Sequence, residues 1–189
     1  MKISIIMCVK NSMPYIMASI ESFRKQKFVN KELIIIWSDS NDNTNEYLQT
    51  ISDKNIKKYN LNASIYKCLN FGITKSKGDI IGVLHSDDIF FSPYVLSNVY
   101  REFKLNKPEI IYGNILFSEK NNLLNVKRTW SRIKLSKVYD IPPHTGTFIR
   151  KKIFIKYKYN QKYKISADTD LMIKLFQTNI KRSYLNKYI

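Results

Sequence analysis

Short runs that are apolar at every position alternate with stretches of helical periodicity through the first 118 residues of the chain. Ile3–Val9 and Leu33–Trp37 are rich in β-branched residues and lack polar alternation, the pattern of strands buried on both faces. Between them, Tyr15–Lys25 sets Ile16, Ile20 and Phe23 at helical spacing among polar residues. The same reading predicts helices over Asn45–Ser52, Ser64–Lys75 and Pro93–Leu105, and strands over Ile56–Tyr59, Ile80–Leu84 and Glu109–Phe117. Ile65, Leu69 and Ile73 form one stripe of the Ser64–Lys75 helix, Gly78 closes that segment, and Pro93 suits a first helical turn.

Strands alternating with helices of about 10–15 residues imply βαβ units and an open, mostly parallel α/β sheet with helices on its faces. The second half is less regular. Asn121–Tyr139 is polar and basic and reads as a hairpin or loop, Pro142-Pro143 as a rigid turn, Thr145–Arg150 as a return to the sheet. Asp168–Thr178 carries Leu171, Ile173, Leu175 and Phe176 and reads as an amphipathic helix. There are no internal repeats, and the 189 residues are expected to form one domain.

Charge changes this picture in the second half only. Residues 1–119 hold 15 Lys/Arg against 12 Asp/Glu, whereas residues 120–189 hold 17 against three, Asp140, Asp168 and Asp170. One reading is a basic surface that meets phosphate, an anionic bilayer or nucleic acid; the other is a compositional bias towards lysine that leaves a solvated face. Nucleic acid ranks last, because the chain carries no RNA- or DNA-binding motif and its aromatics sit mostly in apolar runs. Cys8 and Cys68 are single and far apart, which fits a reducing cytoplasmic compartment rather than a disulfide framework or zinc cluster. The apolar opening ends at Lys10-Asn11 without a small-residue cleavage site, so it is read as a strand and not a leader. No apolar stretch approaches the roughly 20 residues that span a bilayer.

In open α/β sheets, ligands bind beyond the carboxyl ends of the strands. Two predicted strand ends carry acids there, Trp37-Ser38-Asp39 and His85-Ser86-Asp87-Asp88. Paired carboxylates suit a hard divalent cation that takes its remaining ligands from water or substrate phosphates, although Asp88 or Ser86 capping the next helix explains the same residues. Asp168 and Asp170 stand two apart at a helix start, so at most one can face a common site, and capping is again the plainer explanation. No Gly-x-x-x-x-Gly-Lys-Ser/Thr loop, Gly-x-Gly-x-x-Gly turn or nucleophile elbow is present.

The ordered set of motifs resembles family 2 glycosyltransferases. It comprises Ile3–Val9 with Asn11, Ser19-Ile20-Glu21-Ser22-Phe23 with Gln26, Glu32–Trp37 with Ser38-Asp39, and Ile65-Tyr66 with Asn70-Phe71-Gly72-Ile73. Gly78-Asp79-Ile80-Ile81, Leu84–Asp88, Ile111–Asn114, Pro143–Phe148 and Ile165–Leu171 continue it in order. The resemblance implies a GT-A fold, a Rossmann-like twisted sheet flanked by helices, with residues 1–118 as the nucleotide-sugar half and 119–189 as the acceptor half. It implies inverting, non-processive transfer from a nucleotide-sugar, a UDP-sugar first, to a hydroxyl of a glycan or lipid-linked acceptor of the cell envelope. Asp39, Asn70, Asp87 and His144 are then expected at the donor. Asp88 and Asp87 are expected on Mn²⁺ or Mg²⁺, and Asp168 as the base. The basic half is expected to make peripheral contact with the anionic inner face of the membrane.

Two positions depart from the family pattern. Lys67 follows Tyr66 where the family commonly has Asp, and Asn114 stands where Asp is frequent. Both favour the alternative, a degenerate nucleotide-sugar-binding or interaction module without turnover. The absence of a Gln-x-x-Arg-Trp sequence disfavours a processive synthase.

Overall fold

The computed structural model describes residues 1–119, 122–131 and 141–189. Its core is a mixed sheet in the order β3-β2-β1-β4-β7-β5-β6, with β8 paired to β5. The strands are β1 Ile3–Val9, β2 Lys31–Trp37, β3 Ile56–Asn60, β4 Ile80–Val83, β5 Ile110–Glu119, β6 Asn122–Trp130, β7 Thr147–Arg150 and β8 Arg182–Tyr188. The helices are α1 Tyr15–Arg24, α2 Thr44–Thr50, α3 Ile65–Lys75, α4 Val95–Leu105, α5 Lys151–Tyr157 and α6 Ala167–Gln177. The expected parallel arrangement holds from β3 through β2 and β1 to β4. β7 then enters antiparallel to both β4 and β5, and β6 turns back antiparallel on β5.

The unbroken apolar runs are explained by helices on both faces of the sheet. Ile3, Ile5 and Met7 of β1 pack with Ile16, Ile20 and Phe23 of α1 and Leu96, Val99 and Phe103 of α4. Ile6, on the opposite face, packs with Leu69 and Ile73 of α3 and with Leu171, Met172 and Leu175 of α6. With both faces buried, no polar alternation survives in β1 or β2.

Two elements escape the sequence pattern. Arg182–Tyr188 is a half-buried strand of mostly polar and aromatic residues that joins β5 in parallel. Lys151–Tyr157 follows β7 without a break, and its Ile153-Phe154-Ile155 core imitates a strand. The hairpin expectation holds for Asn122–Trp130; the rest of that segment, with Asp140, lies outside the described residues.

Lys31 looks like an anomaly at the start of a buried strand. Its ammonium donates to the carbonyls of Phe23, Arg24 and Gln26 at 2.6–3.0 Å, capping the last turn of α1. Desolvation lowers its pKa.

Candidate active site

The carboxyl ends of β1, β2 and β4 meet at one edge of the sheet. Asn11, in the left-handed region with φ of 48°, follows β1 and reaches the loop after β2. Its amide donates to Ser40 Oγ at 3.0 Å and its Oδ1 accepts from the Asn41 amide at 2.8 Å. Ser12 Oγ lies 2.8 Å from Ser86 Oγ, which ties the same loop to the end of β4.

Asp39, directly beyond β2, is exposed. Asn62 Nδ2, from the turn after β3, donates to its Oδ2 at 2.6 Å, and Asn60 Nδ2, at the end of β3, to its Oδ1 at 3.1 Å. These bonds, Asn62 first, hold its carboxyl below the usual range, so it is an oriented anion at the mouth of the site.

The segment with Asp87 and Asp88 is held by polar side chains of α1 and by Gln26 just past its end. Ser19 Oγ donates to the carbonyl of Ser86 at 2.9 Å and to that of Asp88 at 2.5 Å. Ser22 Oγ accepts from the Phe90 amide at 3.2 Å, and Gln26 Nε2 donates to the Ser92 carbonyl at 2.7 Å. Ser19, Ser22 and Gln26 recur at helical spacing, and that spacing was a signal available in the sequence. Asp87 and Asp88 border a cleft of about 460 Å³ whose far wall is built by Ile115, Phe117 and Leu123.

Asp88 is exposed at the residue level, yet protein packed around its carboxyl raises its pKa by desolvation; the Asp87 charge adds to this and His85 opposes it. Two repelling carboxylates, one of them poorly solvated, are what a cation relieves. Among the described residues no three His, Cys, Asp or Glu side chains converge as a metal cage. The donor set therefore fits Mg²⁺ or Mn²⁺ only with water and a substrate diphosphate completing the shell, as these hard cations commonly bind.

The Asp88 amide donates to the His85 carbonyl at 3.1 Å, and from His85 a line of contacts leads to Asp168. His85 Nε2 lies 3.0 Å from His144 Nε2, and His144 Nδ1 lies 3.0 Å from Tyr159 Oη. Tyr159 stacks on Tyr66 at 5.8 Å between ring centroids, and Tyr66 Oη donates to Asp168 Oδ1 at 2.9 Å. Burial, with the His85 charge adding, pushes His144 down to about 4, so it is neutral at physiological pH. Burial likewise raises Tyr159 well above its ordinary value, with the Asp168 charge second. Asp168 sits in the first turn of α6, after Ser166 at φ of 66°. A non-glycine residue in that region costs of order 1 kcal/mol or more, which the surrounding contacts must offset.

The expected residues fall into distinct places. Asp88, His144 and Asp168 belong to this connected line, Asp87 stands beside Asp88, and Asp39 lies beyond β2, two strands away in the sheet. Both ring nitrogens of His144 are engaged inside the protein. Asn70 lies behind the site: its Nδ2 donates to the Tyr159 carbonyl at 2.8 Å and its Oδ1 accepts from the Tyr159 amide at 3.0 Å. Asp170 pairs with Lys174 at 2.6 Å, on a different face from Asp168. Of the two departures, Lys67 is exposed, and Asn114 is taken up in joining β5 to β8, where Tyr184 Oη donates to its Oδ1 at 2.5 Å. Sequence reasoning missed His85, Tyr66 and Tyr159 as members of the site.

Comparison with known proteins gives the family and the fold. An uncharacterized glycosyltransferase of Rickettsia conorii is 29% identical over 93% of this chain, which spans 31% of that protein's length. The Escherichia coli UDP-Glc:α-D-GlcNAc-diphosphoundecaprenol β-1,3-glucosyltransferase WfgD is 32% identical over 65% of this chain and 49% of its own. In fold, the chain superposes on Staphylococcus aureus TarS 1–349 in complex with UDP with a TM-score of 0.82, at 19% identity, covering 99% of this chain and 58% of that one. The mannosyltransferase PcManGT of Pyrobaculum calidifontis, in complex with GDP-Man and Mn²⁺, gives a TM-score of 0.75 at 14% identity, over 98% of this chain and 55% of that one. The model of the family named Glycosyl transferase family 2 matches residues 4–172, and the chain belongs to that family.

Proposed function

We propose that this chain transfers a sugar from a nucleotide-sugar, a UDP-sugar first, to a hydroxyl of a glycan or lipid-linked acceptor, one residue per event and with inversion. The observation that carries this reading is the contact line from Asp88 through His85, His144, Tyr159 and Tyr66 to Asp168. It links a cation-suited carboxylate pair to a separate carboxylate.

Asp39, oriented by Asn60 and Asn62, accepts hydrogen bonds from the donor's base or ribose. Asp87 and Asp88 would hold Mn²⁺ or Mg²⁺, which would supply Lewis-acid neutralisation of leaving-group charge. Asp168 takes the proton of the acceptor hydroxyl as its oxygen bonds to the anomeric carbon. The bond from that carbon to the diphosphate breaks, and the nucleoside diphosphate leaves with the electron pair. Tyr66 orients Asp168, while Asn70 fixes Tyr159 and so serves the donor site from behind. His144, neutral and enclosed, acts on the diphosphate through His85. The UDP complex of TarS and the UDP-Glc donor and diphosphoundecaprenol-linked acceptor in the name of WfgD support the donor and acceptor classes. The Mn²⁺ in the PcManGT complex supports the cation.

The test combines UDP binding with transfer from a panel of UDP-sugars to lipid-linked and free glycan acceptors. Asp168→Asn is expected to keep UDP binding and lose transfer. Loss of both would make Asp168 a structural residue, and binding by the wild type without any transfer would favour the module without turnover.

A further inference from the structure

The surface between β7 and α6 concentrates charge and apolar exposure in one place. Residues 151–165 contain six lysines, and no acid occurs between Asp140 and Asp168. Two lysines elsewhere, Lys31 and Lys58, bury their ammonium on backbone carbonyls, and within this stretch Lys151 does the same on the Ser76 carbonyl. Here Lys152 pairs with Glu109, but Lys156, Lys158, Lys162 and Lys164 have no carboxylate partner among the described residues. Three of these, with Lys174, line a shallow recess of about 540 Å³. The same stretch exposes Ile155 at 50%, Tyr163 at 46% and Ile165 at 80%. A solvated face that merely keeps a protein soluble has no reason to combine unpaired lysines with exposed aliphatic and aromatic side chains.

We propose that this surface, Ile155 to Ile165, docks the chain on an anionic lipid bilayer. The charge complementarity is direct: unpaired ammonium groups meet lipid phosphates, while Ile155, Tyr163 and Ile165 enter the headgroup boundary. Tyrosine suits that boundary because its ring is apolar and its hydroxyl stays wet. The surface runs straight into Ser166 and Asp168. Docking therefore sets the base beside the interface, where a lipid-linked acceptor presents its hydroxyl. That last step rests on the function proposed above; the docking itself does not.

The experiment is co-sedimentation of the 189-residue chain with vesicles of phosphatidylcholine alone and of phosphatidylcholine with phosphatidylglycerol, at physiological salt. The wild type is expected to bind the anionic vesicles and leave the neutral ones. Each lysine near an anionic surface is worth roughly fivefold in binding, so exchanging Lys156, Lys158, Lys162 and Lys164 for Gln lowers vesicle affinity about a hundredfold or more. A second variant, Tyr163→Ser with Ile165→Ser, keeps the charge and loses the binding that survives raised salt. Far-UV circular dichroism and melting temperature, expected unchanged because these side chains are exposed, show that both variants fold. No wild-type preference for anionic vesicles, or equal binding by the lysine variant, overturns the proposal. So does binding of RNA in preference to vesicles at the same salt. Vesicle binding without any UDP binding would uphold the docking and sink the transferase reading; sugar transfer from a UDP-sugar without vesicle binding would do the reverse.

Discussion

His144 lets the interior of the site be tested by titration. The ring is buried, with one nitrogen against His85 and the other against Tyr159. Its pKa falls from 6.5 to about 4 on folding, chiefly because burial penalises the charged ring. Between those values the unfolded chain carries a proton on this residue that the folded chain refuses, so stability rises with pH across that window. The contribution is fully present above pH 6.5 and is lost as the pH falls to 4. At about 1.4 kcal/mol per pH unit, that interval amounts to about 3 kcal/mol. Urea denaturation of the wild type and of His144→Gln at pH 7.5 and pH 4 isolates the effect, because Asp88 and the other titrating groups are common to both. The variant starts less stable, having lost at least one buried hydrogen bond at about 1–3 kcal/mol. It should nevertheless lose about 3 kcal/mol less than the wild type on acidification. Parallel stability profiles for the two proteins would refute the enclosed, neutral histidine.

Tyr66→Phe removes a hydrogen bond to a carboxylate and should lower kcat about tenfold, equivalent to about 1.5 kcal/mol, while UDP affinity in calorimetry stays as it was. Asn62→Ala should weaken UDP binding by freeing Asp39, with an unchanged melting temperature; undiminished binding would remove Asp39 from the donor site. Gly78 passes so close to β1 that an added Cβ would lie 2.7 Å from the Ser4 nitrogen and 2.9 Å from the Lys2 carbonyl oxygen. Backbone cannot give way as a side-chain tip can, so Gly78→Ala should cost about 1–3 kcal/mol by urea denaturation.

The sequence exposed those features whose cause is local. β1, β2 and β4 are unbroken apolar runs because helices cover both faces, and the acids after β2 and β4 stand where a parallel sheet leaves its ligand side open. β8 stayed hidden because it is half-buried against β5 and shows no period of two. The line from His85 to Asp168 depends on α3, the loop after α5 and α6 packing on one face of the sheet. Tyr66 and Asp168 are 102 residues apart, and nothing local distinguishes Tyr159 from its neighbour Tyr157. Tyr159 owes its place to Asn70, whose two backbone bonds to it are again long-range. The clamp of Ser19, Ser22 and Gln26 was legible in principle, since polar residues on the inner side of an amphipathic helix call for partners.

The proposed transfer requires the carboxylate pair after β4 to bind a nucleoside diphosphate through a divalent cation. Isothermal titration of the chain with UDP, in Mn²⁺ and in chelator, on the wild type and on Asp88→Ala, tests this most directly. The expected result is binding in Mn²⁺ that chelator abolishes and that Asp88→Ala removes without lowering the melting temperature. UDP binding of equal strength in all four conditions, or no nucleotide binding with any cation, would contradict it.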